Sequence, residues 1–386
     1  MRIPFNKPFI IGKELEHIEE SVRSGHSAGD GKFTKKCQEL LERQFNASQV
    51  LLTTSCTSAL EMSAILAGIR EGDEVILPSY TFVSTANAFA LRGASIRFVD
   101  IRRDTLNIDE SLIENAINEN TKAIVPVHYA GISCEMDLIQ DIARKYGLVV
   151  IEDAAQGVNA RYKGQCLGTL SDMGTYSFHE TKNFICGEGG AIVTNNPRYQ
   201  ERAEIIREKG TNRSQFFRGQ VDKYTWVDTG SSFLPSDLLA AFLFAQLENM
   251  QEITDKRRKI FELYRESLMP LADEGHIRLP VIPQDCDPNY HMFYILLESE
   301  PVRASLIQYL RERDISAVFH YVPLHTSPMG TRMGCRPGIL PVTENLSERL
   351  LRLPFYYELS ESEILEVVEH ITDFFGATRD AANRHD

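Results

Sequence analysis

The sequence predicts an α/β protein that has a large domain built on a mostly parallel sheet and a smaller C-terminal α+β domain. In the first half of the chain, short apolar runs rich in β-branched residues alternate with helical patterns, which is typical of a parallel sheet covered by helices. From about Asp237, apolar residues recur at helical spacing through the charged stretch 255–268, which indicates a long helix leaving the sheet. We therefore expect one domain over residues 1–250, including the N-terminal segment, and a second over residues 251–386.

Each element follows from the period of its apolar residues. The strands expected in the large domain are residues 50–52, 74–77, 95–99, 123–127, 148–151, 174–178 and 191–194. The helices expected as crossovers between them are residues 58–67, 84–91, 109–117 and 136–146. In the small domain we expect strands at 292–297 and 315–319, and helices at 302–313 and 361–375.

Composition restricts the class of protein. The chain has 386 residues, of which 43% are hydrophobic and 25% charged, so disordered and fibrous classes are excluded. The net charge is −13 and the cations are scattered among acids, so we expect neither nucleic acid nor membrane as a partner. Seven cysteines without a C-x-x-C pair argue against a zinc knuckle and against a disulfide framework, so no metal site is expected. Because no signal-like or membrane-spanning apolar run is present, a cytoplasmic location is expected.

Lys182 is the residue that points most strongly to catalysis. It lies in the stretch 177–183, just before the glycine-rich stretch 187–190, and Asp153 ends a preceding apolar strand. A lysine amine can form a Schiff base with an aldehyde cofactor, and a carboxylate at a strand end can keep the pyridine nitrogen of that cofactor protonated. Taken singly, Asp153 also fits a helix N-cap and Lys182 a solvated surface charge. Together they predict a site for pyridoxal 5′-phosphate (PLP).

The stretch 53–58 predicts where the phosphate group binds. It places hydroxyl side chains and free backbone N–H groups between a strand and a helix, where an anion is favoured. Ser177, at a neighbouring strand end, could add a further hydroxyl. Ordinary capping of the helix by Ser55 or Thr57 explains the same residues equally well when they are considered alone.

An aromatic side chain is expected beside the cofactor ring. The stretch 78–85 places Tyr80 and Phe82 at the same edge of the sheet, so that either could stack on the ring, with Ala155 against the opposite face. An aromatic residue at such a turn more often belongs to the core, so this expectation depends on the other motifs.

The order of these motifs resembles the vitamin-B6-dependent sugar aminotransferases of the DegT/DnrJ/StrS type. The resemblance covers nearly the whole chain, and the segments that carry it are 4–6, 29–31, 54–60, 78–82, 152–156, 178–183 and 320–325. It implies the fold of aspartate aminotransferase, fold type I of PLP-dependent transferases.

The resemblance also implies a role for individual residues. Lys182 corresponds to the Schiff-base lysine, Asp153 to the partner of the pyridine nitrogen, and Gln156 to a contact of the ring's phenolic oxygen. The remaining contacts implied are phosphate binding by Cys56, Thr57 and Ser177 and ring stacking by Phe82. In the family, a loop of the partner subunit completes the phosphate site with an asparagine; here Ser232 stands at that position. The resemblance thus implies a homodimer with shared active sites.

The stretch 204–224 suggests a subgroup. It is most similar to transaminases that use L-glutamate to aminate dTDP-4-dehydro-6-deoxyglucose, giving 2-oxoglutarate and dTDP-4-amino-4,6-dideoxygalactose for surface polysaccharide such as enterobacterial common antigen. Arg213 and Arg218 belong to a local excess of cations that suits a nucleotide diphosphate, although a solvated loop fits the charges as well. His320 and His325 are expected either to contact substrate or to join strands of the small domain.

The sequence motifs also fit other functions. An aminotransferase could act at C3, or on a UDP- or GDP-linked keto sugar, with the same catalytic residues. Related sugar 3-dehydratases carry a histidine in place of the Schiff-base lysine, so Lys182 argues against that reaction. A regulatory protein without turnover could use the same fold, but loss of Lys182 or Asp153 would be its signature, and both are present.

Overall fold

The computed structural model describes residues 1–382, with side chains described to residue 377, and these residues contain twelve strands, fourteen α-helices and two short 3-10 helices. The strands are β1 (Val50–Thr53), β2 (Glu74–Pro78), β3 (Ser95–Val99), β4 (Thr121–Ile124), β5 (Val149–Asp153), β6 (Arg161–Tyr162), β7 (Gln165–Cys166), β8 (Met173–Ser177), β9 (Gly190–Thr194), β10 (Cys286–Asp287), β11 (Tyr294–Leu296) and β12 (Leu350–Arg352). The helices are α1 (Glu14–Arg23), α2 (Lys32–Phe45), α3 (Cys56–Leu66), α4 (Val83–Ala90), α5 (Glu110–Ala116), α6 (Met136–Tyr146), α7 (Pro197–Arg207), α8 (Arg213–Phe217), α9 (Asp237–Glu248), α10 (Met250–Asp273), α11 (Glu300–Arg311), α12 (Pro328–Arg332), α13 (Pro341–Arg349) and α14 (Glu361–Ala382).

A seven-stranded sheet forms the centre of the fold. Its strands lie in the order β1-β9-β8-β5-β4-β2-β3. The pairs from β8 to β3 are parallel, whereas β9 is antiparallel to both of its neighbours. Each predicted strand of the large domain overlaps one strand of this sheet, so the α/β class with a mostly parallel sheet is confirmed. Strand β8 is buried along its whole length because helices cover both faces of the sheet.

The helices between the strands agree with the sequence pattern, and α6 begins and ends at the predicted residues. The pattern did not predict α1 and α2, which pack against α9. Asp237 at the start of α9 accepts hydrogen bonds from the backbone N–H groups of Phe33 and Thr34, so it also satisfies the free N-terminus of α2.

The C-terminal third has its own cluster of buried side chains, supplied by α10, α11, β11, β12 and α14. The strand predicted over 315–319 is wrong. Ile315 forms an isolated β-bridge with Ile3, and Val318 forms one with Arg352. Because this short segment pairs with two different partners, no continuous strand forms. Ile3 therefore packs in the C-terminal cluster, and the division near residue 250 stays a prediction. Among the described residues, no helix is both long and apolar enough to cross a membrane.

Candidate active site

A pocket of about 610 Å³ opens at the carboxyl ends of β5 and β8. Ligands of open α/β sheets bind at this edge, because loops and helix N-termini converge there. The structure brings eight of the predicted site residues to the wall of this pocket, namely Cys56, Thr57, Phe82, Asp153, Gln156, Ser177, Lys182 and His320.

Lys182 is half-buried in the loop that follows β8. Its backbone N–H donates to the carbonyl of His179 at 2.9 Å, which fixes the turn that carries it. Burial lowers the pKa of Lys182, and this effect outweighs the opposing influence of Cys56 and Asp153. A lysine with a lowered pKa is a neutral amine over more of the pH range, so it can act as a nucleophile and then as a proton carrier.

Asp153 ends β5 and is buried with its carboxylate fixed from two sides. Oδ2 accepts a hydrogen bond from Thr85 Oγ1 at 2.7 Å, and Oδ1 accepts one from the backbone N–H of Ala155 at 3.1 Å. The hydroxyl oxygen of Thr85 lies 2.8 Å from that of Thr81. Because the hydroxyl proton of Thr85 is donated to Asp153, Thr81 must be the donor in the pair with Thr85. The element that follows Asp153 is strand β6 and not a helix, so Asp153 does not cap a helix.

The N-terminus of α3, which we call the cup, lies in the pocket wall at the place where the sequence predicts that the phosphate binds. Ser55 caps the helix by accepting from the N–H of Ser58 at 3.1 Å, while the hydroxyl of Thr57 pairs with Ser84 at 2.8 Å. Within residues 1–382, no acceptor is found for the N–H groups of Cys56 and Thr57. A helix N-terminus with free N–H groups favours an anion, so these residues fit a phosphate group.

Gly190 permits the cup to form. It lies at the start of β9, and a Cβ at this position would lie 2.3 Å from the carbonyl carbon of Ser55 and 2.4 Å from the nitrogen of Cys56. Both neighbours are backbone atoms, so a side chain could be accommodated only by moving the start of α3.

Gln156 is held by both atoms of its side-chain amide. Oε1 accepts from the N–H of Ala130 at 2.7 Å, and Nε2 donates to the hydroxyl of Tyr321 at 2.9 Å. The ring of Tyr321 stacks on His320 with centroids 3.6 Å apart, and Tyr129 forms a 2.6 Å hydrogen bond with His320 Nδ1. Burial lowers the pKa of His320 well below its usual value, so this imidazole is neutral at physiological pH.

Of the two aromatic residues expected beside a ring, only Phe82 lines the pocket. Its exposed fraction is 58%, and its ring lies 6.4 Å from that of Tyr321. Tyr80 is buried and packs on Tyr129, 5.2 Å between ring centroids, so it belongs to the core.

His291, in the pocket wall, was missed by the sequence analysis. Asn183 donates through Nδ2 to the carbonyl of Asn289 at 2.7 Å, so its Oδ1 is the atom 2.8 Å from His291 Nδ1. His291 Nδ1 must therefore carry the hydrogen. Burial, together with the charge on Lys182, lowers the pKa of His291 well below its usual value, so its ring is neutral. No local motif marked this residue, because its partners are distant in sequence.

His325 does not fit the role expected for it. Its side chain is fully buried outside the pocket, with Nδ1 2.7 Å from Ser79 Oγ and Nε2 2.9 Å from Glu344 Oε1. Both ring nitrogens are thus engaged, and the prediction of a substrate contact is corrected to a structural one.

Three other predicted residues lie outside the pocket of their own chain. Arg218 pairs with Glu204 at 2.8 Å, and Arg213 lies with its guanidinium carbon 5.2 Å from the centroid of the Phe217 ring. Ser232 is exposed, and its backbone forms an isolated β-bridge with that of Glu208. A contact of these residues with substrate or phosphate would require the pocket of a second copy, and it stays a prediction.

Known proteins resemble this chain over almost its full length. The sequence pattern of the DegT/DnrJ/EryC1/StrS aminotransferase family matches residues 8–372. A pleiotropic regulatory protein of Geobacillus stearothermophilus is 35% identical over 89% of this chain and 90% of its own. GDP-perosamine synthase of Escherichia coli O157:H7 is 30% identical over 97% of this chain and 98% of its own. Among solved structures, Spr1654 of Streptococcus pneumoniae in its PLP form has a TM-score of 0.89 at 26% identity, covering 96% of this chain and 98% of that one.

Proposed function

We propose a specific reaction for this chain, which belongs to the DegT/DnrJ/EryC1/StrS aminotransferase family and is therefore a PLP-dependent sugar aminotransferase. The chain transfers the amino group of L-glutamate to C4 of dTDP-4-dehydro-6-deoxyglucose. The products are 2-oxoglutarate and dTDP-4-amino-4,6-dideoxygalactose. The observation that carries the proposal is one pocket that contains a half-buried lysine of lowered pKa, a doubly hydrogen-bonded carboxylate and a free helix N-terminus.

When bound, PLP supplies an aldehyde and an electron-accepting ring. The N–H groups of Cys56 and Thr57 would bind its phosphate, and Asp153 would hold the proton on its ring nitrogen. Gln156 and the hydroxyl of Tyr321 would face its phenolic oxygen. The amine of Lys182 would take the proton that leaves Cα of the amino donor and later return a proton to the sugar carbon, acting first as base and then as acid. One pocket would thus serve donor and acceptor in turn.

The nature of the acceptor is supported less directly. A relative named GDP-perosamine synthase fits amination of a nucleotide-linked sugar. The dTDP-linked 4-keto sugar is favoured by the resemblance of the stretch 204–224. An acceptor carrying GDP or UDP, or a keto group at C3, is the second candidate, and that relative's name favours GDP.

A regulatory role without turnover is disfavoured by the site itself. Although one relative is named as a regulatory protein, Lys182 and Asp153 both line the pocket of this chain. Thr85 also donates a hydrogen bond that fixes the carboxylate of Asp153 at the pocket wall.

The assembly and the cellular role belong to the same proposal. Ser232, Arg213 and Arg218 all lie outside the pocket of their own chain. In a homodimer with shared active sites they would contact the pocket of the partner subunit instead. We further propose that the enzyme works in the cytoplasm and supplies a surface polysaccharide of the enterobacterial common antigen type.

The visible absorption spectrum tests the proposal. The PLP-loaded protein is mixed with L-glutamate, the 2-oxoglutarate formed is removed, and dTDP-4-dehydro-6-deoxyglucose is then added. The band of the loaded protein should disappear with glutamate and return with the sugar, and the product should be the galacto-configured amine by nuclear magnetic resonance. Return of the band only with a GDP- or UDP-linked sugar would replace the acceptor, and a band unchanged by any amino acid would contradict the reaction.

A further inference from the structure

His291 presents an unpaired hydrogen-bond acceptor to the pocket. Its Nδ1 donates to Asn183 and its ring is neutral, so Nε2 carries a lone pair and no hydrogen. The residue lines the pocket although its exposed fraction is only 8%. Within residues 1–382, no donor is found for Nε2. Polar atoms of buried side chains are normally paired, so a donor is expected to reach Nε2 from the pocket.

The backbone around His291 is fixed by its neighbours. Asn289 donates through Nδ2 to two carbonyls of the loop after β5, each at 2.8 Å. Tyr290 has a φ of 53°, which is uncommon for a residue other than glycine. Arg257, on α10, donates to the carbonyl of Tyr290 at 2.9 Å and to that of His291 at 2.5 Å. Such a backbone conformation persists only where the surrounding structure imposes it, and it is frequent at functional sites.

Lys182 is the donor that best matches this acceptor. Both side chains line the pocket, and both also line a narrow void behind it that is too small to admit a water molecule. Burial lowers the pKa of His291 most, and among the charged groups that add to this effect Lys182 has the largest influence. Within residues 1–382, the amine of Lys182 has no hydrogen-bond partner either. An unpaired donor and an unpaired acceptor therefore share one pocket.

The chain links these two side chains directly. Asn183, which fixes Nδ1 of His291, is the residue that follows Lys182. Asn183 is fixed in turn, because its Nδ2 donates to the carbonyl of Asn289 at 2.7 Å. The loop that carries Lys182 thus also carries the anchor of His291, and a shift of this loop would move both.

We propose that Nε2 of His291 accepts a hydrogen bond from the amine of Lys182 while that amine is not bonded to the cofactor, an inference that rests on the proposed role of Lys182. The bond requires only rotation of the lysine side chain, which is flexible. A proton carrier is efficient only when it is held in the right direction, and this hydrogen bond would supply that direction. His291 is therefore a positioning residue, which acts through Lys182.

A role toward Lys182 predicts different kinetics from a role toward the sugar. Lys182 would carry a proton in both half-reactions, so loss of the acceptor should slow both. Half-saturation by glutamate and by the sugar should stay near wild type. A hydrogen bond from a sugar hydroxyl to Nε2 would instead change half-saturation by the sugar alone.

Two variants separate the two nitrogens of His291. His291→Asn keeps a donor near the position of Nδ1 and places no acceptor near Nε2, whereas the amide oxygen of His291→Gln can lie near Nε2. The maximal rate of each half-reaction should fall by about 10- to 100-fold in His291→Asn and by less than about tenfold in His291→Gln. With glutamate deuterated at Cα, the isotope effect on the first half-reaction should be larger in His291→Asn than in wild type.

Denaturant unfolding of the same variants is the control. His291→Asn keeps the bond to Asn183, so it should be the more stable of the two variants although it is the slower. A purely structural role would give the opposite relation, because the rate would then follow the stability.

The titration of Lys182 in the cofactor-free protein provides a readout that does not depend on catalysis. The extent to which acetic anhydride modifies Lys182 at a series of pH values is measured by mass spectrometry. An acceptor stabilises the ammonium, so its removal in His291→Asn should lower the pKa of Lys182. Well below that pKa, the neutral fraction of the amine should be about tenfold higher than in wild type, and His291→Gln should resemble wild type. The other titratable or charged groups that act on Lys182 are unchanged in these variants, namely Cys56, Asp153, Arg352 and His320.

Several results would overturn the inference. Equal rates in the two variants, or a slower His291→Gln, would contradict it. A slow His291→Asn in which Lys182 titrates as in wild type would contradict it as well. An effect confined to half-saturation by the sugar would assign Nε2 to the acceptor substrate instead. If His291→Gln does not fold, His291→Asn decides alone, since wild-type rates in that variant would also refute the hydrogen bond.

The inference and the proposed function fail in different ways. If wild type transfers the amine to a different sugar, the acceptor is wrong while the role of His291 stands, because the first half-reaction uses only glutamate. If the cofactor is not carried by Lys182, the proposed function fails, and the titration of the cofactor-free protein still reports whether Lys182 and His291 are bonded.

Discussion

Replacement of Thr85 by valine tests whether Asp153 depends on its hydrogen-bonded neighbours. Valine has nearly the shape of threonine and removes only the hydroxyl. In this variant Asp153 keeps the bond from the N–H of Ala155 and loses the 2.7 Å bond from Thr85. Thr81, which donates to Thr85, loses its acceptor at the same time.

The magnitude follows from the type of bond that is lost. A hydrogen bond to a charged group contributes about 1.5–3 kcal/mol, and a neutral one about 0.5–1.5 kcal/mol. Thr85→Val removes one bond of each type, whereas Thr81→Val removes only the neutral one and leaves Thr85 bonded to Asp153. The rate of the glutamate half-reaction should therefore fall by about 10- to 100-fold in Thr85→Val and by less than about tenfold in Thr81→Val.

Rapid-mixing absorbance with L-glutamate measures these rates, and denaturant unfolding of the same proteins reports stability. The order expected is wild type fastest, then Thr81→Val, then Thr85→Val. Equal rates in the two variants would refute the assignment of Thr85 as the residue that positions Asp153. A loss of stability without a change in rate would refute it as well.

Three further predictions concern other parts of the pocket. In Gly190→Ala the added Cβ should displace the start of α3, at a cost of about 1–3 kcal/mol, and raise the dissociation constant for PLP by about 10- to 100-fold in a fluorescence titration. Gly376→Ala is the control, because its added Cβ would have no neighbour within 4 Å, and it should bind PLP as the wild type does. Equal affinities of Gly190→Ala and Gly376→Ala for PLP would contradict the role of the α3 N-terminus in binding the phosphate. His291→Asn places an amide N–H close to the position of Nδ1 and can keep the donor toward Asn183, whereas the amide of His291→Gln lies one carbon farther out, near the position of Nε2. By denaturant unfolding His291→Asn should therefore be more stable than His291→Gln by about 1–3 kcal/mol, and the reverse order would disprove the tautomer. The folded pKa of Lys182 is lowered, so between that pKa and about 10.4 the unfolded chain binds a proton that the folded chain does not. The free energy of unfolding of the cofactor-free protein should therefore rise with pH across this window, and the contribution of Lys182 should fall again as the pH is lowered through the folded pKa. Lys182→Met should flatten this rise, and an unchanged slope would argue against the lowered pKa.

The parts of the fold that the sequence predicted are those with a strong local signal. The apolar runs of the central sheet and the helix at 136–146 have the period of their own element, so each could be located from a few consecutive residues. The segment 315–319 looked like a strand because its residues alternate, but its backbone pairs with two separate partners. Local alternation cannot distinguish a continuous ladder from two isolated bridges.

The site divides in the same way. Lys182 and Asp153 were predicted because each follows a strand end, and strand ends of a parallel sheet meet at one edge. Thr85 and His291 could not be predicted, since their roles depend on contacts with residues far away in the sequence. For His325 the sequence left a substrate contact and a structural role open, and the structure buries it between Ser79 and Glu344.

The most direct test of the central claim asks which lysine carries the cofactor. The PLP-loaded protein is reduced with borohydride, which converts a Schiff base to a stable amine, and the digested chain is examined by mass spectrometry. The site described above predicts one modified peptide, with the cofactor on Lys182. Modification of a different lysine, or no modification in a protein that has been shown to bind PLP, would contradict it.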